Sequence, residues 1–389
     1  VKLRSYAADL INDPVDFARR VPPGLNRRWH ARWDPIARSE LSRAASGRSV
    51  WLARSLHHRV GSGSPAKPLV LRFANPHASR LPELEWFADE VAQVSGGAVR
   101  IRFVNTWTTT DNPREETCAV AGVTRDHADL GWAGTRAFGC LGVRSLDPLQ
   151  APFLLEDYAT LHAVCRGDVT REMLEPLDRL GLVGLVVLPG AQRKPFAFAR
   201  RLVSPRDFLG AKLRIHESLV AEATYRALGA EAVTLSVREM ASRPDALIDG
   251  LDLQIEALGG WGLRGSITYN VNLWPRTIAI FASRKAHRWL GTSEREVLRE
   301  AARRTLARAL DHLEDQEQRD LDAVPDGVNP IFADEDELLA MHELVEPVHA
   351  SLRKHPETGA FLGRLETIRA READRQLVTA SPGTAPVRA

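Results

Sequence analysis

From Leu69 onward the chain alternates apolar and polar positions in the manner of a strand. Leu69-Val70-Leu71-Arg72-Phe73-Ala74 reads as a half-buried β-strand, and Asn75-Pro76-His77 closes it with turn chemistry. Between Leu81 and Val94 the spacing becomes helical, with Leu84, Phe87, Ala88 and Val91 on one face, until Gly96-Gly97 stops it. Val99 to Val104 returns to alternation. Strand, helix and strand within about 35 residues make a βαβ unit, which implies a right-handed crossover and a mainly parallel sheet.

The same reading predicts a helix over about Glu115–Val123, a strand at Ala128-Asp129-Leu130-Gly131-Trp132 and a helix from about Tyr158 to Leu180. Leu182 to Leu188 is a continuous apolar run, as expected of a strand buried on both faces. Further strands are predicted near Ala197, over Lys212–Ile215, within Leu247–Leu258 and over Thr277–Ser283, with a helix Leu219–Leu228 closed by Gly229. Beyond residue 292 the pattern is helical only. Thr292 or Ser293 can cap, Glu294 and Glu296 sit in the first turn, and apolar positions recur from Val297 to Leu321. At 1.5 Å per residue, roughly 30 residues give about 45 Å of helix, more than one small lobe needs. Two more helices are predicted, over about Glu335–Lys354 and Phe361–Leu377, before a Pro-, Gly- and Ala-rich tail over 381–389.

Composition narrows the classes. The chain has 389 residues, 44% hydrophobic and 26% charged, enough for two lobes with buried cores. A net charge of +2 spread over well-mixed signs excludes the concentrated basic field of a nucleic-acid binder. No run of about 18 apolar residues is present, so no membrane-spanning helix is predicted. Cys118, Cys140 and Cys165 form neither a disulfide framework nor a metal spacing and read as small buried side chains; in an exported protein one pair could oxidise. Residues 1–67 are arginine-rich and end in Gly61-Ser62-Gly63-Ser64-Pro65, without the charged, apolar and small-residue succession of a signal peptide. The chain opens on Val, so this segment is expected to be a poorly ordered leader or to precede the true start.

The candidate chemistry is anion binding. Arg214 ends a short strand introduced by Gly210, and Arg193 follows the buried apolar run in Gly190-Ala191-Gln192-Arg193. Strand ends facing a cleft are where α/β sheets hold ligands, and a guanidinium there matches a carboxylate with two parallel hydrogen bonds. Taken alone, an arginine at a strand end is usually a solvated surface charge. Nucleophile elbows, zinc-protease signatures, paired cysteine motifs and dinucleotide fingerprints are absent, and the 12 histidines lack ligand spacing, so neither a metal nor a cofactor is predicted.

Four segments carry a resemblance. They are Ala151-Pro152-Phe153-Leu154-Leu155-Glu156-Asp157-Tyr158; Val203-Ser204-Pro205-Arg206-Asp207-Phe208-Leu209-Gly210-Ala211-Lys212-Leu213-Arg214, the most specific; Ala227-Leu228-Gly229-Ala230; and Ile248-Asp249-Gly250-Leu251-Asp252. In this order and spacing, from about Leu69 to about Leu377, the chain resembles the solute receptors of TRAP (tripartite ATP-independent periplasmic) transporters, the dicarboxylate-receptor branch. The interval from Arg193 to Arg214 also agrees with that family's two arginines.

The resemblance implies an α/β, two-lobe periplasmic-binding-protein-like fold of the class II type, with a long helix spanning both lobes. Lobe I is expected over 68–192, lobe II over 193–276, and a return to lobe I with the long helix and C-terminal helices over 277–380. Arg214 would make the bidentate carboxylate contact and Arg193 a secondary one. Asp252 occupies the family's Glu slot, with Glu256 near enough to compete, and Asn272 stands where a family His is usual. Asn75, His77 and Trp132, at strand ends, are further pocket candidates. Before the Asp-Gly turn the family's aromatic is missing, and Pro244 breaks the helix, which alters the pocket wall.

The function implied is an extracytoplasmic, periplasmic receptor that delivers a small organic acid to TRAP-type permease subunits. A dicarboxylate, keto acid, sugar acid or aromatic acid would all present the same anchor. The alternatives are a cytosolic carboxylate sensor on the same scaffold, or a lyase or isomerase with Asp252 or His77 as base.

Overall fold

The computed structural model describes residues 67–77, 80–105, 113–313, 316, 319, 322 and 324–380. The expected leader over 1–67, all but its last residue, and the tail over 381–389 lie outside them.

The first βαβ unit forms as its pattern predicts. Strand β1 (Leu69–Ala74) leads through helix α1 (Pro82–Val94) to β2 (Val99–Val104), and β1 pairs with β2 in parallel register from Leu69–Val99 to Ala74–Val104. Pro82 opens α1, where its missing N–H costs nothing, and Glu83 and Glu85 occupy the electropositive first turn. Leu84, Phe87 and Val91 bury one face of α1 against the sheet. Gly96 and Gly97 both have positive φ, the left-handed geometry glycine adopts at low cost after a helix.

Helix α2 (Glu115–Thr124), strand β3 (Leu130–Gly134) and helix α3 (Thr135–Cys140) follow. The single helix expected from Tyr158 to Leu180 is instead α4 (Tyr158–Arg166), α5 (Asp168–Leu174) and a 3-10 turn (Glu175–Leu180). Gly167 sits between α4 and α5 with extended backbone (φ −79°, ψ 168°), and Pro176 opens the 3-10 turn, where it offers no N–H to a continuing helix.

The strand predicted over Leu182–Leu188 and the one predicted near Ala197 are a single 16-residue strand, β4 (Leu182–Ala197). The chain continues as β5 (Lys212–Arg214), α6 (Leu219–Ala227), β6 (Glu231–Val233), α7 (Val237–Ser242), β7 (Gly250–Leu253), α8 (Ile255–Trp261), β8 (Gly265–Thr268), β9 (Trp274–Ser283), α9 (Arg284–Trp289), α10 (Thr292–Leu313), β10 (Val328–Ile331), α11 (Glu335–Lys354) and α12 (Pro356–Ala380).

Two sheet regions share β4. Its first part pairs with β9 in the order β2-β1-β3-β9-β4, and its last residues pair with β7 in the order β4-β7-β5-β6, with β8 and β10 alongside. The sheet is mixed rather than mainly parallel, because β9 runs antiparallel to both β3 and β4. It comes back from the second sheet region and so meets the first from the opposite end. Bulges between Gly184 and Val186 and between Pro189 and Gln192 let β4 bend from one region to the other.

Each sheet region has its own core. Phe73, Phe87, Leu130, Ile280 and Leu298 belong to the first, while Phe208, Leu213, Tyr225 and Trp274 pack together in the second, beside a further cluster around Phe196, Leu251 and Ile267. The fold is mixed α/β, its two sheet regions joined through β4. Helix α10 lies along α1 and β4. Helical residues recur beyond it at Gln316, Arg319 and Asp322, and Gln316 Nε2 donates to Glu256 Oε1 of α8 at 2.7 Å. The helical residues thus reach from the first core to α8, beside the second sheet region. No helix among the described residues is long and apolar enough to cross a membrane.

Candidate functional site

The segment Val203–Arg214 is a device for aiming one side chain. Ser204 and Asp207 form a reciprocal capping box around Pro205, and Asp207 Oδ2 also accepts from the Val203 N–H at 3.0 Å. Gly210 turns the chain with positive φ, and its N–H bonds to the Gly229 carbonyl at 2.8 Å. Strand β5 then lies parallel to both β6 and β7, with Arg214 level with Leu251 at its C-terminal end.

Arg214 pairs with no carboxylate among the described residues, and its Nε is enclosed without a hydrogen-bond partner. Its Nη1 lies 3.0 Å from Nε2 of His216. Burial, and then the positive charge of Arg193, lower its pKa to about 10, so it remains charged at neutral pH.

Arg193 is placed differently. Its Nε donates to the Asp252 carboxylate, its Nη2 to the Asp252 carbonyl at 2.6 Å and its Nη1 to Gln254 Oε1 at 3.3 Å. Asp252 also accepts from the Tyr225 hydroxyl at 3.2 Å, and burial beside that carboxylate holds Tyr225 well above the ordinary tyrosine pKa. The role predicted for Arg193 as an anion contact therefore meets a guanidinium already held by an internal carboxylate. Asp252 is the acidic partner in this cluster, whereas Glu256 is exposed and bonded to Gln316.

The first sheet region contributes a second cluster. Asn75, buried at the end of β1, accepts from Trp132 Nε1 at 2.9 Å and donates to the His77 carbonyl at 2.8 Å. His77 Nδ1 lies 2.9 Å from Glu115 Oε2 and its Nε2 3.4 Å from Glu116 Oε1, with its ring 5.2 Å from that of Trp132. Burial alone would depress the His77 pKa, but hydrogen bonds and charge from Glu115 and Glu116 override it and raise the value to about 9. Glu116 is likewise opposed by burial, yet Arg136, His77 and the Gly134 N–H at 2.7 Å hold it well below the usual carboxylate range. Both glutamates open α2, where the helix dipole favours negative charge.

Arg136 belongs to this cluster and was not marked from the sequence. Its Nη2 donates to Glu116 Oε1 at 2.6 Å, while its Nε is enclosed without a partner. The available signal was Gly134-Thr135-Arg136, an arginine just past the end of β3. The two clusters lie close enough to feel each other: Arg193, Asp252, Arg136 and Glu115 all act on Arg214, and burial with Arg214, Arg136 and His77 keeps His216 well below its ordinary pKa.

Of the candidates, Arg214, Arg193, Asp252, Asn75, His77 and Trp132 therefore gather in two adjoining clusters. Asn272 does not join them. Its Oδ1 accepts from Lys194 Nζ and its Nδ2 donates to the Glu156 carbonyl at 2.8 Å. Lys194 follows Arg193 on β4 and so points to the opposite face. Asp252 is engaged by Arg193 and Tyr225, and His77 by Glu115 and Glu116. No group of three His, Cys, Asp or Glu residues suited to a metal occurs among the described residues, and of Cys118, Cys140 and Cys165 only Cys165 is fully buried.

Two α/β halves share a strand, and charged side chains from both gather near Arg214, the architecture of a two-lobe binding protein. The model of the bacterial extracellular solute-binding proteins, family 7, matches residues 73–355. The chain belongs to this family, the TRAP receptor family. The C4-dicarboxylate-binding periplasmic protein DctP of Rhodobacter capsulatus is 30% identical over 179 residues, 45% of this chain and 52% of that protein, so the match spans about half the length of this curated relative.

Solved structures share the fold. A TRAP periplasmic solute-binding protein of Ralstonia eutropha H16 with bound (S)-2-acetolactate has a TM-score of 0.65 at 21% identity, covering 78% of this chain and 99% of that one. One from Xanthobacter autotrophicus Py2 with bound β-D-galacturonate has a TM-score of 0.66 at 18% identity over 76% and 99% of the two chains. The sugar acid binding protein of Advenella mimigardefordensis, in complex with galactonate, has a TM-score of 0.66 at 19% identity over 78% and 99%.

Proposed function

We propose that this chain is a periplasmic receptor that captures a small organic carboxylate and delivers it to a TRAP-type membrane permease. The observation that carries this reading is Arg214: a charged guanidinium with an enclosed, unpartnered Nε and no internal carboxylate. A half-buried cation with an enclosed, unmatched N–H is costly until an anion arrives, so the site is poised to bind one. The carboxylates and sugar acids held by the relatives with this fold support the ligand class. The periplasmic, dicarboxylate-binding relative supports the compartment.

In this reading Arg214 grips the carboxylate through its planar fork. Arg193 adds positive field while Asp252 and Tyr225 hold it in place, and Asn75, His77 and Trp132 form the facing wall. Arg214 comes from the second sheet region, Arg193 from β4 where the two regions join, and the facing wall from the first, so a ligand that touches Arg214 and the wall stabilises a closed arrangement relative to an open one.

A thermal-shift screen of the full chain against organic acids, followed by calorimetry, tests the proposal, because a ligand that binds only the folded form raises the melting temperature. Stabilisation by at least one carboxylate and its loss in Arg214→Ala is the expected outcome. A chain that responds to no acid, or an Arg214→Ala variant that binds as tightly as the parent, refutes it.

A further inference from the structure

Arg214 is followed at once by a turn, Ile215 to Ser218, that touches the other half of the molecule. Glu217 in this turn reaches the start of α2. Its Oε1 lies 3.3 Å from Arg114 Nε, and its Oε2 accepts from the Thr117 hydroxyl at 3.3 Å. Helix α2 packs on β3 and β1, in the first sheet region, whereas Glu217 stands between β5 and α6 in the second.

The turn is held stiffly. Ser218 caps α6 by accepting from the Ala221 N–H at 3.0 Å, and its hydroxyl donates to Gln150 Oε1 at 2.5 Å. Both Ser218 and Gln150 are buried, and the 3-10 turn Asp147–Gln150 packs against α3 and β9. His216, one residue before Glu217, lies 3.0 Å from Arg214 Nη1 through its Nε2. The anion anchor, the Glu217 carboxylate and the helix cap are therefore parts of one short, braced segment.

We propose that Glu217 is a latch between the halves, a positioning residue that holds Arg214 toward the first sheet region and slows the escape of a bound carboxylate. The inference rests on the carboxylate-receptor reading and adds a residue to it. A negative charge so near an anion anchor would by its field alone oppose the ligand. Its contacts with Arg114 and Thr117 give it a different use. Parting the halves would carry Glu217 away from α2, so these bonds belong to the closed arrangement only. An interaction confined to that arrangement slows dissociation, which follows opening, and leaves association unchanged. Arg114 is exposed and Glu217 half-buried, so the pair should change a rate by about two- to fivefold.

Stopped-flow binding and calorimetry on the full chain test the latch, using the acids of the thermal-shift screen with galacturonate, galactonate and malate among them. Glu217→Gln separates the two effects by sign. Loss of the field alone would tighten carboxylate binding, whereas loss of the latch should speed dissociation about two- to fivefold with association unchanged. Arg114→Gln should speed it to the same extent, and the double variant no further, because either change breaks the same pair. Added salt should speed dissociation from the parent more than from Glu217→Gln or Arg114→Gln, since it screens an ion pair that the variants lack. That comparison serves with Arg114→Gln should Glu217→Gln fold poorly. Tighter or unchanged binding by folded Glu217→Gln, additive effects in the double variant, or equal salt dependence overturns the latch and leaves the receptor reading standing. Binding of no acid by the parent overturns both.

Discussion

Nη1 of Arg214 donates to Nε2 of His216 across 3.0 Å, which places the His216 proton on Nδ1 and makes the ring neutral. A guanidinium has no lone pair to offer, so the imidazole must accept. The bond restrains one arm of the fork while Nε stays without a partner. His216 thus positions Arg214 rather than competing for the ligand.

Replacing Arg214 with Lys keeps the charge and removes the planar fork. Affinity for the carboxylate ligand should fall by about one to a few kcal/mol, the scale of a charge-assisted hydrogen bond. His216→Ala should cost less, about 1 kcal/mol, because it frees the arm without removing a ligand contact. Calorimetry of the two variants against the parent checks both magnitudes and their order.

Arg193 should prove structural in a way Arg214 does not. Removing it leaves Asp252 buried, with the Tyr225 hydroxyl at 3.2 Å and the unbonded charge of Arg214 to meet it. Arg193→Ala should therefore destabilise the fold by about 3–5 kcal/mol, the usual cost of stranding one member of a buried pair. Arg214→Ala strands no carboxylate and should leave stability unchanged or raised. Urea denaturation of both variants separates the two roles.

How far these roles could be read beforehand depends on what kind of information each required. The helix α1, the buried run that starts β4 and the short strand β5 that Gly210 introduces and Arg214 ends were legible because periodicity and turn residues fix them. The length of β4 was not, since Pro189 and Gly190 read as a strand end, whereas a bulge carries the strand through them. The pairing of Arg193 with Asp252 joins residues 59 positions apart, and no local pattern distinguishes a paired arginine from a free one. Arg136 stayed hidden for the same reason, because its significance lies in an unfilled Nε that only packing reveals.

Gly250 illustrates a motif whose cause is steric. A Cβ there would sit 2.1 Å from the Phe196 carbonyl oxygen, where β7 crosses β4. Backbone cannot yield as a side-chain tip can, so Gly250→Ala should force β7 away from β4 and disturb the adjacent Asp252. A loss of about 1–3 kcal/mol is expected, as for other overpacked positions. It should appear as a lower urea midpoint with an unchanged m-value.

His77 gives the cluster its pH dependence. Its pKa rises from 6.5 to about 9 in the folded chain, so between those values the folded state holds a proton that the unfolded state has released. The stabilisation it provides is complete below about 6.5 and is lost as pH rises through about 9. Glu116 acts on the other side: its folded pKa is depressed, so its contribution is present above 4.5 and is lost as pH falls below that value. Together they place the cluster's greatest stabilisation between pH 4.5 and 6.5. Urea midpoints should fall between pH 6.5 and 9.5 in the parent and fall less in His77→Gln, which cannot take up the proton. Equal losses in the two proteins would show that His77 is not the group holding it, and the 2.9 Å contact with Glu115 would then be a neutral hydrogen bond.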